Sequence, residues 1–212
     1  MLKSSSEVEL KLLLPDEAAL LQLCSILPGY IDTLQQTNIY FDVEGMIKES
    51  GAILRLRLCE NEAELTLKVR GSLIQGVSIA HEYSDILKEE WVSALILREE
   101  NSSLNRLGTV KALYDHCGCE LVQLTEWGRS SNERRRYQVE DDLMIEVDKT
   151  SFPGNVMRCE VEIECDDTET ARKYLSRQLQ ELNIPIVNCD ESKSAMLFRL
   201  LEAGAHGDPE EV

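Results

Sequence analysis

Two carboxylates and an ammonium group, Glu7, Glu9 and Lys11, stand at alternate positions near the start of the chain, with Val8, Leu10 and Leu12 interleaved. A period of two is that of a β-strand, so one side of this segment carries charge and the other hydrocarbon. The pattern returns in Arg55-Leu56-Arg57, Glu64-Leu65-Thr66-Leu67-Lys68, Glu146-Val147-Asp148 and Glu160-Val161-Glu162-Ile163-Glu164. A sheet assembled from such strands gathers acids and cations on one common face. Carboxylate oxygens suit a divalent cation such as magnesium or manganese, and clustered Lys and Arg suit a polyanion. An apolar ligand would gain little there.

Positioning these groups calls for about eight strands, mostly antiparallel. Residues 7 to 14 read as a strand ended by Pro15, and Asp16 precedes an apolar-periodic helix that Pro28-Gly29 breaks. Further strands are expected at 31 to 42, 52 to 60, 63 to 70 and 74 to 83, with turns at Glu44-Gly45 and Asn61-Glu62. The middle is helical over Leu87 to Leu97 and Leu104 to Tyr114, with Asn101-Ser102-Ser103 as loop and cap. Strands resume at 119 to 127, 134 to 140, 143 to 149 and 157 to 165, with a hairpin turn at Asp141-Asp142. Helices close the chain at Thr168 to Leu182 and Ser192 to Leu201, so residues 1–203 read as one domain and 204–212 as a flexible polar tail. Closing the sheet into a barrel removes its exposed edges. Periodicity alone leaves the facing open. Either the aliphatic rows fill the barrel and the charges meet water, or helices cover the aliphatic rows and the charges line a tunnel.

Composition narrows the function. With 212 residues the chain can bury a full core, and its formal charge of −17 opposes nonspecific binding to nucleic acid or acidic membranes. It does not oppose a small phosphate ligand held by a local cationic cluster. No apolar run approaches the roughly 18 to 20 residues of a membrane span, and no secretory leader is expected. Seven scattered cysteines read as reduced, buried thiols of a cytoplasmic protein, and three histidines are too dispersed for a histidine metal centre. The Walker pattern G-x-x-x-x-G-K-[ST] does not occur.

Glu7-Val8-Glu9-Leu10-Lys11 resembles the E-x-E-x-K signature of the CYTH, or triphosphate tunnel metalloenzyme, superfamily. The resemblance continues in order through Asn38-Ile39-Tyr40-Phe41-Asp42, Arg55-Leu56-Arg57, Leu65-Thr66-Leu67-Lys68, Glu82, Arg135, Glu146-Val147-Asp148, Glu160-Val161-Glu162 and Lys193. It looks closest to the small plant-type tripolyphosphatases, with thiamine triphosphatases as near relatives. The implied fold is α+β, an eight-stranded antiparallel barrel with a charged interior and helices packed outside.

The resemblance also implies roles. Lys11, Arg55, Arg57, Lys68, Arg135 and Lys193 would hold the substrate, with Arg134 and Arg136 on the opposite strand parity and pointing outward. Glu7, Glu9, Glu82, Glu146, Asp148, Glu160 and Glu162 would bind Mg2+, or Mn2+ in its place, with Glu164 at the mouth or solvated. Glu7, Glu9, Lys68 and Lys193 would take part in the chemistry. The implied reaction is metal-dependent hydrolysis of inorganic triphosphate to diphosphate and phosphate by a monomer, without nucleic-acid or membrane partners. Thiamine or nucleoside triphosphate hydrolysis, and noncatalytic polyphosphate binding, are the alternatives. Tyr40, Phe41, Trp91 and Trp127 read as packing residues.

Overall fold

The computed structural model describes residues 2–60, 62–97, 99, 103–140 and 143–205. The Asn61 and Asp141-Asp142 turns, Asn101-Ser102 and residues 206–212 of the expected tail lie outside the described residues. In chain order the elements are β1 (Lys3–Leu14), α1 (Glu17–Ile26), β2 (Tyr30–Asp42), α2 (Met46–Glu49), β3 (Ala52–Cys59), β4 (Glu62–Ile74), β5 (Val77–Leu87), α3 (Glu89–Leu97), α4 (Gly108–Cys117), β6 (Thr125–Glu140), β7 (Leu143–Phe152), β8 (Val156–Glu164), α5 (Thr168–Glu181), β9 (Val187–Asn188) and α6 (Lys193–Ala205).

The sheet runs β5-β4-β3-β2-β6-β7-β8-β1, and pairing of β1 with β5 closes it into an eight-stranded antiparallel barrel. The two-residue β9 adds to β1 from outside that ring. Closure decides the facing, because the aliphatic rows lie outside and helices cover them. Leu54, Leu56, Leu65 and Leu67 of β3 and β4 pack with Leu95 of α3 and Val110 and Leu113 of α4. Leu10, Leu12, Ile145, Val147, Val161 and Ile163 pack with Leu20 and Leu23 of α1 and Leu175 and Leu179 of α5. Each such leucine stabilises the fold by about 1.5–3 kcal/mol. The charged rows therefore face inward.

Local chemistry sets the helix ends. The Asp16 carboxylate accepts from Ala19 N at 2.8 Å, capping α1, and Asp167 accepts from the first turn of α5. α6 lies over one barrel end, where Leu197 packs against Tyr40 and Phe152. It comes so near Gly128 that a Cβ there would sit 2.8 Å from Leu201.

Four expectations need correction. The expected strands 119–127 and 134–140 are one sixteen-residue strand, β6, preceded by a 3-10 turn at Leu121–Gln123. The intervening Gly128-Arg129-Ser130-Ser131-Asn132 run lacks apolar alternation because its inward side faces a polar lumen. Leu104–Arg106 is likewise a 3-10 turn, and α4 begins only at Gly108. Gly204 belongs to α6 rather than to a tail. Finally, Arg134 rather than Arg135 points into the barrel, as described below.

All seven cysteines are free, and burial pushes the thiols of Cys159 and Cys189 up to about 11. No helix among the described residues is long and apolar enough to cross a membrane.

Candidate active site

The lumen is a cavity of about 480 Å3 lined by inward residues of all eight strands and by Ser192, Lys193 and Ser194 at the start of α6. β1, β7 and β8 contribute most of its acids. Asp148, Glu160 and Glu162 are buried and bring one carboxylate oxygen each within 4.8 Å of one another. Cations embrace this cluster. Lys193 Nζ lies 2.5 Å from Asp148 Oδ2 and 3.0 Å from Glu162 Oε1, and also contacts Glu160. Arg134 donates to both Asp148 oxygens, at 2.8 and 2.6 Å, and to Glu162 at 2.7 Å, and it contacts Glu146. Lys11 Nζ bridges Glu162 at 2.6 Å and Glu9 at 2.7 Å.

A second acidic group surrounds Lys68, whose Nζ lies 2.8 Å from Glu7, 2.7 Å from Glu82 and 3.5 Å from Glu9. These arrangements pull the acids apart in strength. Burial disfavours the charge on Asp148, but Arg134 and Lys193 outweigh it and lower the carboxyl to about 2. The same contest, won by Lys11, Lys193 and Arg134, holds Glu162 well below the usual range. At Glu7 burial prevails over Lys68, with repulsion from Glu82 and Glu9 adding to it, and the carboxyl rises to about 7. Glu146 is also raised, by burial that Arg134 only partly offsets.

Arg55 and Arg57 of β3 form the contrasting wall. Four strands away around the closed ring lies β8, so these guanidiniums stand across the lumen from Glu160 and Glu162. Among the described residues neither has a carboxylate within ion-pair distance. Arg57 donates from Nε to Asn38 Oδ1 at 3.2 Å, and Arg55 Nε is buried without a hydrogen-bond partner. Burial, together with the Arg55 and Arg134 charges, pulls Arg57 down to about 10.

The structure thus brings Glu7, Glu9, Lys11, Arg55, Arg57, Lys68, Glu82, Glu146, Asp148, Glu160, Glu162 and Lys193 together. Glu164 stands opposite Glu9 near the strand end and is exposed. Arg135 is not among them. It pairs with Glu133 at 2.9 Å on the outer face, while Arg136 pairs with Asp32 and lines a recess at the barrel rim with Arg57 and Arg134. The signal was the neighbouring odd positions, Tyr137 and Val139, whose apolar side chains mark that parity as the helix-covered one. Two further lumen cations continue the period by one step. Arg158 precedes Glu160 and donates to it from Nε at 2.7 Å; Arg70 follows Lys68 and donates to Ser192 and Ser194, both at 2.5 Å. Tyr40 and Trp127 pack against each other beneath α6, where Trp127 meets Phe198 of that helix edge-on, and Trp91 packs with the β3–β4 side.

A closed antiparallel barrel whose lumen opposes acids to arginines defines a class of charge-lined tunnel proteins. The family signature described as CYTH domain spans residues 5–195, and the chain belongs to that family. Among solved structures, the candidate adenylyl cyclase HpAC1 from Hippeastrum, described as having a dominant triphosphatase activity, superposes with a TM-score of 0.83. It is 26% identical over 93% of this chain and 96% of its own. A candidate adenylate cyclase from Bacillus halodurans reaches 0.71 at 24% identity, covering 92% of this chain and 98% of that one. PH1819 from Pyrococcus horikoshii OT3 reaches 0.60 at 18%, covering 92% and 99%. These last two show the fold alone. No curated protein matches the chain in sequence.

Proposed function

We propose that this protein hydrolyses inorganic triphosphate to diphosphate and orthophosphate with a divalent cation, Mg2+ or Mn2+, as cofactor. The observation that carries this reading is the opposition of Arg55 and Arg57, without carboxylate partners among the described residues, to the buried acids of β7 and β8. Triphosphate carries about four negative charges at neutral pH, and guanidinium forks match its oxygens. The triphosphatase activity described for HpAC1 supports the same class of reaction.

The donor set fits a hard cation. Asp148, Glu160 and Glu162 offer only oxygens, and Glu160 Oε1 is buried without a hydrogen-bond donor, although Lys193 lies in ion-pair contact. These three residues would hold the ion, with Glu7, Glu9, Glu82 and Glu146 as neighbouring carboxylates. When bound, the cation supplies Lewis-acid neutralisation of charge on the phosphoryl oxygens.

The chain's own residues do the rest. Arg55 and Arg57 hold and align the phosphate chain for in-line displacement, and Lys11 balances the acids beside it. Glu7 or Glu9 orients the attacking water and accepts its proton, while Lys68 and Lys193 neutralise the transferring and departing groups. Recognition of an organic substituent would need a pocket at the mouth. A panel of tripolyphosphate, ATP and thiamine triphosphate at equal concentration with magnesium tests the reading. Faster phosphate release from tripolyphosphate is expected. Preference for either organic substrate would overturn the substrate, and binding without turnover would overturn the reaction.

A further inference from the structure

The walls of the lumen are not equally satisfied. Buried polar groups nearly always find hydrogen-bond partners, so those that do not call for an explanation. On the arginine side such groups can all donate. Thr66 Oγ1, Ser130 Oγ and Arg55 Nε are buried with no partner, and Thr66 and Ser130 are 1% and 4% exposed. Asn38, 3% exposed, gives its Oδ1 to Arg57, which turns its amide nitrogen toward the lumen without an acceptor among the described residues.

These residues are neighbours. Ser130 is the register partner of Asn38 and Asn38 that of Arg57, while Arg55 is the register partner of Thr66. They form a belt across four adjacent strands, β6-β2-β3-β4. Glu64, the register partner of Arg57, makes no ion pair with it among the described residues. The acceptors in this region are the Glu64 carboxylate, the Thr66 and Ser130 hydroxyl oxygens and the Asn38 amide oxygen, the last already used by Arg57.

We infer that Asn38, Thr66 and Ser130 complete, with Arg55 and Arg57, a phosphoryl-binding belt of hydrogen-bond donors. The inference rests on the lumen being the triphosphate site and deepens it. Phosphoryl oxygens are acceptors without donors, so one unit of the chain can satisfy the hydroxyls, the amide and the guanidiniums together. A ligand ammonium group would find no acceptor on the two guanidiniums or on the Asn38 amide nitrogen. The belt therefore selects for a phosphoryl group at this depth of the tunnel. Asn38 adds a second effect: by taking Nε of Arg57 it leaves the guanidinium's outer nitrogens as a fork toward the lumen.

The test compares Thr66→Val, Ser130→Ala and Asn38→Asp with Arg57→Ala. It reads substrate-free melting temperature, and KM and kcat for tripolyphosphate with magnesium. Replacing an unbonded buried hydroxyl by an apolar group leaves stability unchanged or higher, whereas losing its bond to an ionised phosphoryl oxygen weakens binding by roughly tenfold. Thr66→Val and Ser130→Ala should therefore keep or raise the melting temperature while kcat/KM falls by about that factor. Asn38→Asp should pair with Arg57, keep the fold and lose more than either, mainly through KM. Wild-type kcat/KM in all three, beside a crippled Arg57→Ala, would overturn the belt and leave the triphosphate reading standing. A lower melting temperature with unchanged kinetics would show the hydroxyls bonded within the protein and would also overturn it. If Arg57→Ala too kept wild-type kinetics, the triphosphate reading itself would fail.

Discussion

The two sides of the lumen solve opposite electrostatic problems. On the β1-β7-β8 side, Glu9, Asp148, Glu160 and Glu162 are packed too closely to remain charged alone, and Lys11, Arg134, Arg158 and Lys193 hold them in place. On the β2-β3-β4 side, Arg55, Arg57 and Thr66 have donors to spare. Like-charge repulsion explains the first arrangement, since unpaired acids at this density would take up protons rather than stay ionised. The second persists because a guanidinium keeps its charge even when burial lowers its pKa. Binding on the acidic side is consequently an exchange of one cationic partner for another, and on the arginine side it is a gain of bonds not otherwise made.

The sharpest way to break that contrast is to alter one residue on each side. Glu160→Gln should lower turnover by more than a hundredfold and weaken the dependence on magnesium concentration. Arg57→Ala should lower kcat/KM by roughly tenfold to a hundredfold, the value of a desolvated charged hydrogen bond, while the magnesium dependence stays as it was. A magnesium titration of each variant decides. An Arg57 variant that lost its magnesium response would mean the two walls do not act separately. Glu164→Gln, at the exposed strand end, should change either quantity little.

A stability measurement separates Arg134 from Arg135. Arg134→Ala removes the partner that Asp148, Glu146 and Glu162 have in common, leaving Lys193 shared by Asp148 and Glu162 but not by Glu146, and should cost about 3–5 kcal/mol in denaturant unfolding. Arg135→Ala removes a surface pair with Glu133 and should cost about 1 kcal/mol or less. Equal losses would refute the inward placement of Arg134.

The pH dependence of stability should be opposite in sign for two acids. The Glu7 carboxyl is raised to about 7, so its contribution is present below the unfolded value near 4.5 and is lost as pH climbs through 7. Asp148 is lowered to about 2, so its contribution is present above its unfolded value and is lost as pH falls toward 2. Melting temperatures of metal-free Glu7→Gln and wild type should therefore diverge in favour of the variant between about pH 5 and 8. Parallel curves would show that burial does not hold Glu7 protonated.

Much of this was legible from residue periodicity. Alternation in β1, β3, β4, β7 and β8 placed Glu7, Arg57, Lys68, Asp148 and Glu160 on the charged faces, because strand parity is a local property. Which face turned inward was not local: it depends on β1 pairing with β5 and on α1, α4 and α5 covering the aliphatic rows. Arg134-Arg135-Arg136 concealed its parity because every position carries the same charge, and only Tyr137 and Val139 break the tie. β6 concealed its length because both sides of its middle are polar, one facing the lumen and the other water. The donor belt lay beyond periodicity altogether, since a threonine or serine on an inward face reads the same whether its hydroxyl is bonded or not.

The seam between β1 and its two partners also has a consequence for biosynthesis. β1 leaves the ribosome before the other seven strands of the ring, yet one of its neighbours is β5 and the other is β8, which ends at Glu164. Until that residue has emerged the ring cannot close, and the nascent sheet carries open edges whose contacts are among the most distant in the chain. Lys193 follows β8 in the chain, so the acidic wall has to wait for that counter-charge until after its last strand has been made. The charged lumen is thus assembled only after β8 has been made, by the return of the first strand of the ring to the last.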